Sequence, residues 1–236
     1  MKTYKYETHL HTCEASACAS SGGAEYISVY KSLGYDGIFV TDHFFGGNTG
    51  ISFDLDWQTR VEQYCSGYEN ALAEAKRQNA ADGGDFKVFF GIEQTFQGDD
   101  YLVYGLDKNW LLDHPEIERM NHRELFDAVN REGGLMLQAH PFRLRGYIRA
   151  IHLHPRDVHG VEIYNAGNRA FENDLAEHYA KEYDFPVTSG SDIHWASFIP
   201  NAPDKLNIGG MEFDTPLKDV FDYVERIKNK EGRILR

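Results

Sequence analysis

The ten residues GYDGIFVTDH, at positions 34–43, hold the pattern that decides the fold. The stretch opens with a glycine placed to end a helix over residues 24–33, in which apolar residues recur at helical spacing. Residues 36–41 are then predicted to form an apolar strand, and this strand ends in Asp42 and His43. A helix, a buried strand and polar residues at the strand's end are, in this order, typical of an α/β protein.

The same order recurs along the chain. Further strands are predicted at residues 5–10, 87–92, 101–106, 135–139, 160–164 and 187–190, and further helices at 56–79, 121–131, 168–183 and 217–236. Repeated alternation of this kind favours parallel strands joined by crossover helices. We therefore expect a single α/β domain over residues 1–236, built as a small barrel or as an open doubly wound sheet.

Composition and charge narrow the functional classes. The chain carries 24 basic and 37 acidic residues, a net charge of −13 that would repel a nucleic-acid backbone. No apolar run approaches the roughly 18 residues that a membrane span needs, and no apolar signal-peptide core follows the first methionine. We expect a cytoplasmic protein with no membrane association. The three cysteines are too scattered for a disulfide framework, and Cys13 and Cys18 are interpreted as buried thiols.

Residue types that bind metals gather at the predicted strand ends. They are His9, His11, Asp42, His43, Glu93, Asp100, His140, Asp192 and His194. In βα-barrels the carboxyl ends of the strands form one face, and the active site is built there. We expect these side chains to converge on one pocket, although they are far apart in the sequence.

The spacing of these residues indicates a metal site. His9 and His11 lie two apart on a strand, so both imidazoles face the same side, and imidazole suits zinc and iron. Asp192 and His194 repeat this spacing. Glu93 ends an otherwise apolar strand, where a charge is costly unless it is paired or bound to a metal. Each residue alone could be a helix cap or a hydrogen-bonded core residue, but their number favours a metal centre.

Taken together, the motifs resemble a known family. They are His9-Leu10-His11-Thr12, Thr41-Asp42-His43, Gly91-Ile92-Glu93, Ala139-His140-Pro141 and Gly190-Ser191-Asp192-Ile193-His194. This ordered set resembles the PHP (polymerase and histidinol phosphatase) family over about residues 5–195. The resemblance implies a distorted, TIM-like (β/α)7 barrel with seven strands. It also implies two or three divalent metal ions (zinc, manganese or iron) and the hydrolysis of phosphoesters.

The resemblance also implies a distribution of ligands. One metal would be held by His9, His11, Glu93 and Asp192. A second metal would share Glu93 and add His140, and a third would be held by His43 and His194.

The chain departs from the family pattern at two places. Asp100 stands where the family often has a histidine, and its oxygen ligand would shift the preference towards harder ions such as manganese. Many members also have a histidine or aspartate five or six residues after His11, where this chain has Ser16 and Ala17. We expect Glu14 to stand in as a metal ligand at this position.

Three residues are candidates for catalysis beside the metals. Arg143 lies three residues after His140 and is a candidate phosphate clamp, since a guanidinium pairs with two phosphate oxygens at once. A surface ion pair is the alternative explanation for this arginine. Asp42 or His43 is expected to protonate the leaving group. We expect a hydrolase acting on phosphoric esters, with a small phosphorylated metabolite or nucleotide as substrate.

Other interpretations remain open at this point. The protein could be a histidinol-phosphate phosphatase, an exonuclease acting on nucleic-acid ends, or a metal-binding module without catalysis. The excess of acidic residues argues against the exonuclease. The nearly complete set of metal ligands argues against a metal-binding module without catalysis. The remaining histidines, including the second His-x-His motif, are interpreted as structural, surface or supporting residues: His114, His122, His152, His154, His159 and His178. The loops 46–56, 143–156 and 201–207 are expected to shape the pocket.

Overall fold

The computed structural model describes residues 2–197 and 208–236, so the predicted pocket loop 201–207 lies outside the described residues. Strands and helices alternate along these ranges. In chain order they are β1 (Tyr4–Glu7), α1 (Glu25–Ser32), β2 (Gly37–Val40), α2 (Trp57–Asp82), β3 (Lys87–Phe96), β4 (Asp99–Tyr104), α3 (Lys108–Asp113), a 3₁₀ helix (Pro115–Arg119), α4 (His122–Arg131), β5 (Leu135–Gln138), β6 (Gly160–Asn165), α5 (Ala170–Glu182), β7 (Val187–Gly190), β8 (Gly210–Phe213), α6 (Val220–Lys228) and β9 (Arg233–Leu235). None of the helices in these ranges is both long and apolar enough to cross a membrane.

The strands form one sheet that curves into a nearly closed barrel. Their order is β7-β6-β5-β4-β3-β2-β1-β8-β9. Beyond the ends of β1 and β7 the two sides of the sheet meet in a parallel bridge between Leu10 and Ile193. The amide of Asp192 donates to the carbonyl of His9 at 2.8 Å, and the amide of His11 donates to the carbonyl of Ile193 at 2.9 Å. The predicted TIM-like barrel is therefore confirmed. We call the junction at the bridge between Leu10 and Ile193 the seam.

Within the described residues the sheet has nine strands instead of the predicted seven. The two additional strands, β8 and β9, extend the sheet beyond β1 as an antiparallel pair. The prediction of one helix over residues 217–236 was wrong, because α6 ends at Lys228 and the chain then turns back into β9. Lys230 and Gly232, which make this turn, both have positive φ angles, of 59° and 90°. Such a backbone conformation cannot continue a right-handed helix.

One of the predicted strands, β4, runs against the expected parallel direction. No helix separates β3 from β4; Gln97 and Gly98 join them instead in a tight turn with φ angles of 55° and 93°. Strand β4 is consequently antiparallel to both β3 and β5. The beginning of β4, with Asp99 and Asp100, therefore lies at the edge where its neighbours end.

An apolar cluster fills the barrel below these strand ends. It takes residues from β1 to β5, from β8 and from α6. The ring of Phe39 packs at 5.3 Å from that of Tyr104 and at 4.5 Å from that of Tyr223, between ring centroids. The Tyr104 hydroxyl donates to the carbonyl of Thr8 at 2.7 Å, directly before His9. The polar strand ends thus rest on a close-packed floor, which limits the movement of their side chains.

Candidate metal centre

The structure brings eight of the nine predicted metal ligands together at the carboxyl edge of the barrel. These residues form four groups, and within each group one ligand nitrogen or oxygen from each residue lies within 4.8 Å of the others. The groups are His9–His11–Glu93, His9–His140–Asp192, Glu93–Asp100–His140 and His11–His43–His194. Because the groups share members, the eight side chains make one continuous cluster, which we call the central cluster.

Glu93 lies at the middle of the central cluster and is fully buried. Its Oε1 is 3.1 Å from His9 Nε2 and 3.2 Å from His140 Nε2. Its Oε2 is 2.7 Å from His43 Nδ1 and 3.4 Å from His11 Nε2. Burial acts to raise the pKa of Glu93, but the surrounding histidines, with His43 foremost, hold this pKa well below its usual range.

Two atoms of this cluster lack hydrogen bonds. Glu93 Oε2 and His43 Nδ1 are buried, and neither has a hydrogen bond of acceptable geometry to any described residue. Buried polar atoms are rarely left unpaired, because their desolvation is then uncompensated. An acceptor oxygen and several imidazole nitrogens that point at one another fit a divalent cation between them.

Asp192 supplies a second carboxylate, which is largely buried. Its Oδ1 lies 3.1 Å from His11 Nε2, and its Oδ2 lies 2.6 Å from Arg143 Nη1. The pKa of Asp192 is held well below its usual range because Arg143 and His9 outweigh the opposing effect of burial. Asp192 and His140 also have positive φ angles, of 55° and 29°. Non-glycine residues adopt this conformation at a cost, and such residues cluster at functional sites.

Hydrogen bonds fix the orientation of three of the imidazoles. His9 Nδ1 donates to Glu162 Oε1 at 2.9 Å, and His194 Nδ1 donates to a backbone carbonyl at 2.9 Å. His11 Nδ1 contacts Ser16 Oγ at 3.1 Å, and this hydroxyl donates to Asp42 Oδ1 at 2.7 Å. Each Nδ1 thus carries the proton, which leaves Nε2 free as a metal ligand.

Asp42, a predicted proton donor, lies behind the histidines. Its carboxylate accepts hydrogen bonds from the amide of Thr12 at 2.5 Å, from the Thr12 hydroxyl at 2.7 Å and from Ser16. Burial raises its pKa to about 6. The structure therefore places Asp42 as a support for the loop after His11, whereas His43 lies in the central cluster. A proton-donor role for either residue stays a prediction.

The structure does not bring Glu14 to the other predicted ligands. Its carboxylate accepts hydrogen bonds from the amide of Gly23 at 3.2 Å and from Asn70 Nδ2 at 3.0 Å, and it belongs to none of the four groups. The thiol of Cys18 instead lines the cavity beside His43 and His194. Burial raises the pKa of this thiol, but hydrogen bonds with the two histidines lower it to about 6. Cys18 is thus half-buried at the site and Cys13 is exposed, so the prediction that both are buried thiols was wrong.

Two buried glutamates that support the site were missed in the sequence. Glu162 Oε2 accepts from the amide of His140 at 3.1 Å, in addition to its contact with His9. Glu7 Oε1 accepts from the amides of His9 and Ser191, both at 2.9 Å. For Glu162 the available signal was the one used for Glu93, since Glu162 lies in a strand that is otherwise largely apolar. Glu7 lies among the polar residues Lys5, Thr8 and His9, and carries no such signal.

Replacing Glu162 with glutamine is expected to weaken metal binding about 10- to 100-fold, the usual effect of losing a carboxylate that orients a ligating histidine. Glutamine keeps the size and an acceptor for the His140 amide but removes the charge opposite His9 Nδ1. Competition against a chelator of known affinity measures the effect. Glu182→Gln, at the exposed end of α5, is the matched control. Equal affinity in the two variants would contradict the orienting role.

The central cluster opens onto a cavity of about 710 Å³. Four of the predicted ligands line it, His43, Asp100, Asp192 and His194. Its walls include Gly46, Gly47 and Asn48 from one predicted pocket loop and Arg143 and Tyr147 from another. The metal ligands are therefore accessible to a small molecule from one side.

Arg143 is held in place at the cavity wall. Its Nε donates to Asn168 Oδ1 at 2.8 Å, its Nη2 donates to Asn165 Oδ1 at 2.7 Å, and its Nη1 pairs with Asp192. Each Nη retains one further hydrogen that these bonds do not use. The ion pair is not a surface pair, since both side chains are largely buried.

The second His-x-His motif lies outside the central cluster. His152 Nδ1 bonds to Asp99, and His159 Nε2 bonds to Asn130 Oδ1 at 2.8 Å. The ring of His154 stacks on that of His122. Their separation from the central cluster agrees with the sequence interpretation.

Comparison by sequence gives one partial relative. No protein-family model matches the chain. An uncharacterized protein of Methanocaldococcus jannaschii is 31% identical over 121 residues, a match that covers 48% of this chain and 51% of the relative. The chain thus spans about half the length of the curated relative that it matches.

Solved structures match over nearly the whole chain. A two-domain protein from Bacteroides vulgatus that contains a predicted PHP-like metal-dependent phosphoesterase aligns with a TM-score of 0.67 at 15% identity, over 99% of this chain and 65% of its own. A protein from Bifidobacterium adolescentis assigned as a metal-dependent phosphoesterase aligns with a TM-score of 0.57 at 15% identity, over 96% of both chains. An amidohydrolase from Chromobacterium violaceum, solved with bound sulfate and without metal, aligns with a TM-score of 0.54 at 13% identity, over 98% of this chain and 97% of its own.

These similarities concern the fold. The chain has the fold of PHP-like metal-dependent phosphoesterases, and the resemblance to the PHP family that its motifs predict is confirmed at the level of that fold.

Proposed function

We propose that this chain is a metal-dependent hydrolase that cleaves a phosphoester bond in a small phosphorylated metabolite or nucleotide. The observation that carries the proposal is the central cluster, in which the buried Glu93 carboxylate contacts four histidines. The cluster opens onto a cavity that a fixed guanidinium also lines. A metal centre and a guanidinium beside one cavity are suited to phosphate groups.

The donor set fits two or three divalent cations. It combines imidazole nitrogens with the carboxylates of Glu93, Asp100 and Asp192. Such nitrogen and oxygen donors suit zinc, iron or manganese. When bound, the ions would lower the pKa of a coordinated water and neutralise phosphate oxygens.

The chain's own residues would bind and orient the substrate. Arg143 would direct its two unused Nη hydrogens at phosphate oxygens, because Asn165, Asn168 and Asp192 fix the guanidinium plane. His43, only partly exposed at the cavity, is the better placed of the two predicted proton donors. The cavity volume lies within the range of roughly 300–1,000 Å³ that is usual for small-molecule sites.

An amide is the second candidate for the cleaved bond, since one structural neighbour is an amidohydrolase. Among phosphoesters, histidinol phosphate is the narrowest candidate. The net charge of −13 argues against nucleic-acid ends. The cytoplasmic location also remains a prediction from the sequence.

The test combines metal content with turnover. Purified protein is analysed for its elements and then assayed on an aryl phosphate, an aryl phosphodiester, histidinol phosphate, a single-stranded oligonucleotide and a panel of amides. The proposal expects two or three divalent ions per chain and turnover of a phosphoester that depends on them. Turnover of amides alone would replace it with the second candidate, and metal binding without any turnover would favour a binding module.

Replacing Arg143 with lysine is expected to lower kcat/KM for the phosphoester by roughly 10- to 100-fold. Hydrogen bonds to charged groups contribute about 1.5–3 kcal/mol, and about 1.4 kcal/mol corresponds to tenfold. A lysine keeps the charge but cannot pair with two oxygens at once. Steady-state kinetics measures the effect, with Arg149→Lys on the exposed part of the same loop as the control. Unchanged kinetics at full metal content would exclude Arg143 from substrate binding.

A further inference from the structure

A second group of potential metal ligands lies outside the central cluster. It consists of His122 at the start of α4 and of His154 and Asp157 at the end of the loop that follows β5. One ligand atom from each residue lies within 4.8 Å of the other two. We call this group the outer triad.

His122 is the least satisfied member of the outer triad. Its Nε2 is buried and has no hydrogen-bond partner among the described residues. Burial, together with the neighbouring His154, lowers the pKa of His122 to about 4, so the imidazole is neutral near pH 7. A neutral imidazole with an unpaired buried nitrogen can bind a metal without first losing a proton.

The ring geometry of the outer triad matches that of the central cluster. The rings of His122 and His154 stack with centroids 4.2 Å apart and an interplanar angle of 25°. In the central cluster, His11 stacks on His43 at 4.3 Å and 29°, and on His194 at 4.4 Å and 22°. The two histidines of the outer triad are therefore arranged like the pairs that we assign to metal binding.

The surrounding residues hold the outer triad in position. Arg123 pairs with one carboxylate oxygen of Asp157, and the Asp157 amide donates to the carbonyl of His154 at 3.0 Å. The ring of Tyr101 packs edge-on at 4.5 Å from that of His122. The second oxygen of Asp157 is left to act as a ligand.

We propose that His122, His154 and Asp157 form a second divalent metal site, separate from the central cluster. Two imidazole nitrogens and one carboxylate oxygen suit zinc, with water completing the coordination. The site joins α4 to the far end of the loop that carries Arg143 and Tyr147 at the cavity. A bound ion therefore holds this loop in place from outside, and the site does not rest on the proposed hydrolysis.

Zinc binding to the whole protein tests the site. Metal-free protein is titrated with Zn²⁺, and bound zinc is counted after gel filtration in wild type, His154→Gln, His122→Ala and Asp157→Asn. The exposed His178→Ala, on α5, serves as the control. Each triad variant is expected to hold one zinc ion fewer than wild type, and the control is expected to hold as many as wild type.

Amide hydrogen exchange gives a second measurement that is independent of activity. Zinc is expected to slow exchange across residues 149–157 in wild type and in the control, but not in His154→Gln. This glutamine variant keeps a polar side chain on a partly exposed loop, and circular dichroism confirms that it is folded. Equal zinc counts in folded His154→Gln and wild type would overturn the proposal, and so would the loss of more than one ion.

Discussion

Replacing Glu93 with glutamine is expected to abolish phosphoester hydrolysis and to remove metal from the central cluster. Both oxygens of this buried carboxylate contact histidines, so the amide would turn an NH₂ group towards a metal ligand. Loss of one oxyanion-hole hydrogen-bond donor already lowers kcat about 10²–10³-fold in other enzymes, and Glu93 is a candidate metal ligand in two of the four groups. We therefore expect a loss of at least this size, measured with an aryl phosphate alongside elemental analysis.

Two further variants show whether the loss of activity and metal is specific to Glu93. Glu212→Gln on β8, where the carboxylate bonds to Thr3 and Arg233, should keep full activity and metal content. Glu14→Gln separates the sequence expectation from the structure, because a true ligand would lose metal and a residue that only holds Gly23 and Asn70 would not. Full activity of Glu93→Gln with a normal metal content would exclude Glu93 from the centre.

Chelation of the bound metal is expected to end turnover and to lower the melting temperature by about 5–10 °C. A ligand present at 100 times its Kd stabilises the folded state by about 2.7 kcal/mol, and 1 kcal/mol corresponds to about 2–4 °C in a protein of this size. Without cations, the Glu93 and Asp192 carboxylates are balanced, among the residues that the structure describes, by histidines and Arg143. Thermal denaturation before and after chelation measures the shift, and activity should return with manganese or zinc.

The origin of this shift can be checked with the site variants. In Glu93→Gln the chelator should change the melting temperature much less, since the central ions are already lost. A chelator effect of equal size in wild type and in this variant would assign the stabilisation to metal bound elsewhere.

The parts of the site that follow from strand periodicity could be predicted from the sequence. His9 and His11 were assigned because residues two apart face one side of a strand, and Glu93 because a charge after an apolar strand needs a partner. The structure places all three in the central cluster. The alternation of strands and helices, a local pattern repeated along the chain, narrowed the fold to a barrel or an open doubly wound sheet. The choice of the barrel came from the resemblance to the PHP family.

Features that depend on contacts between distant segments do not follow from strand periodicity. Asp100 was expected at the site, but it reaches the central cluster only because β4 runs antiparallel, since the expected parallel sheet would have placed it at the opposite edge. Cys18, and not Glu14, lies beside His43 and His194 because of the path of the loop after His11. The pairing of His122 with His154 joins residues 32 apart, and no short motif encodes it.

Candidate metal ligands lie on both sides of the seam, so a bound ion would also stabilise the closed barrel. His9 and His11 lie on one side of the seam, and Asp192 lies on the other, 3.1 Å from His11 Nε2. Any ion that is bound by residues from both sides therefore links the segment after β1 to the segment after β7. Closing the barrel brings these ligands together, and a bound ion holds the two sides of the seam in contact. Barrel closure and metal binding therefore stabilise each other. An enzyme built in this way would assemble its active site and complete its barrel in the same step of folding.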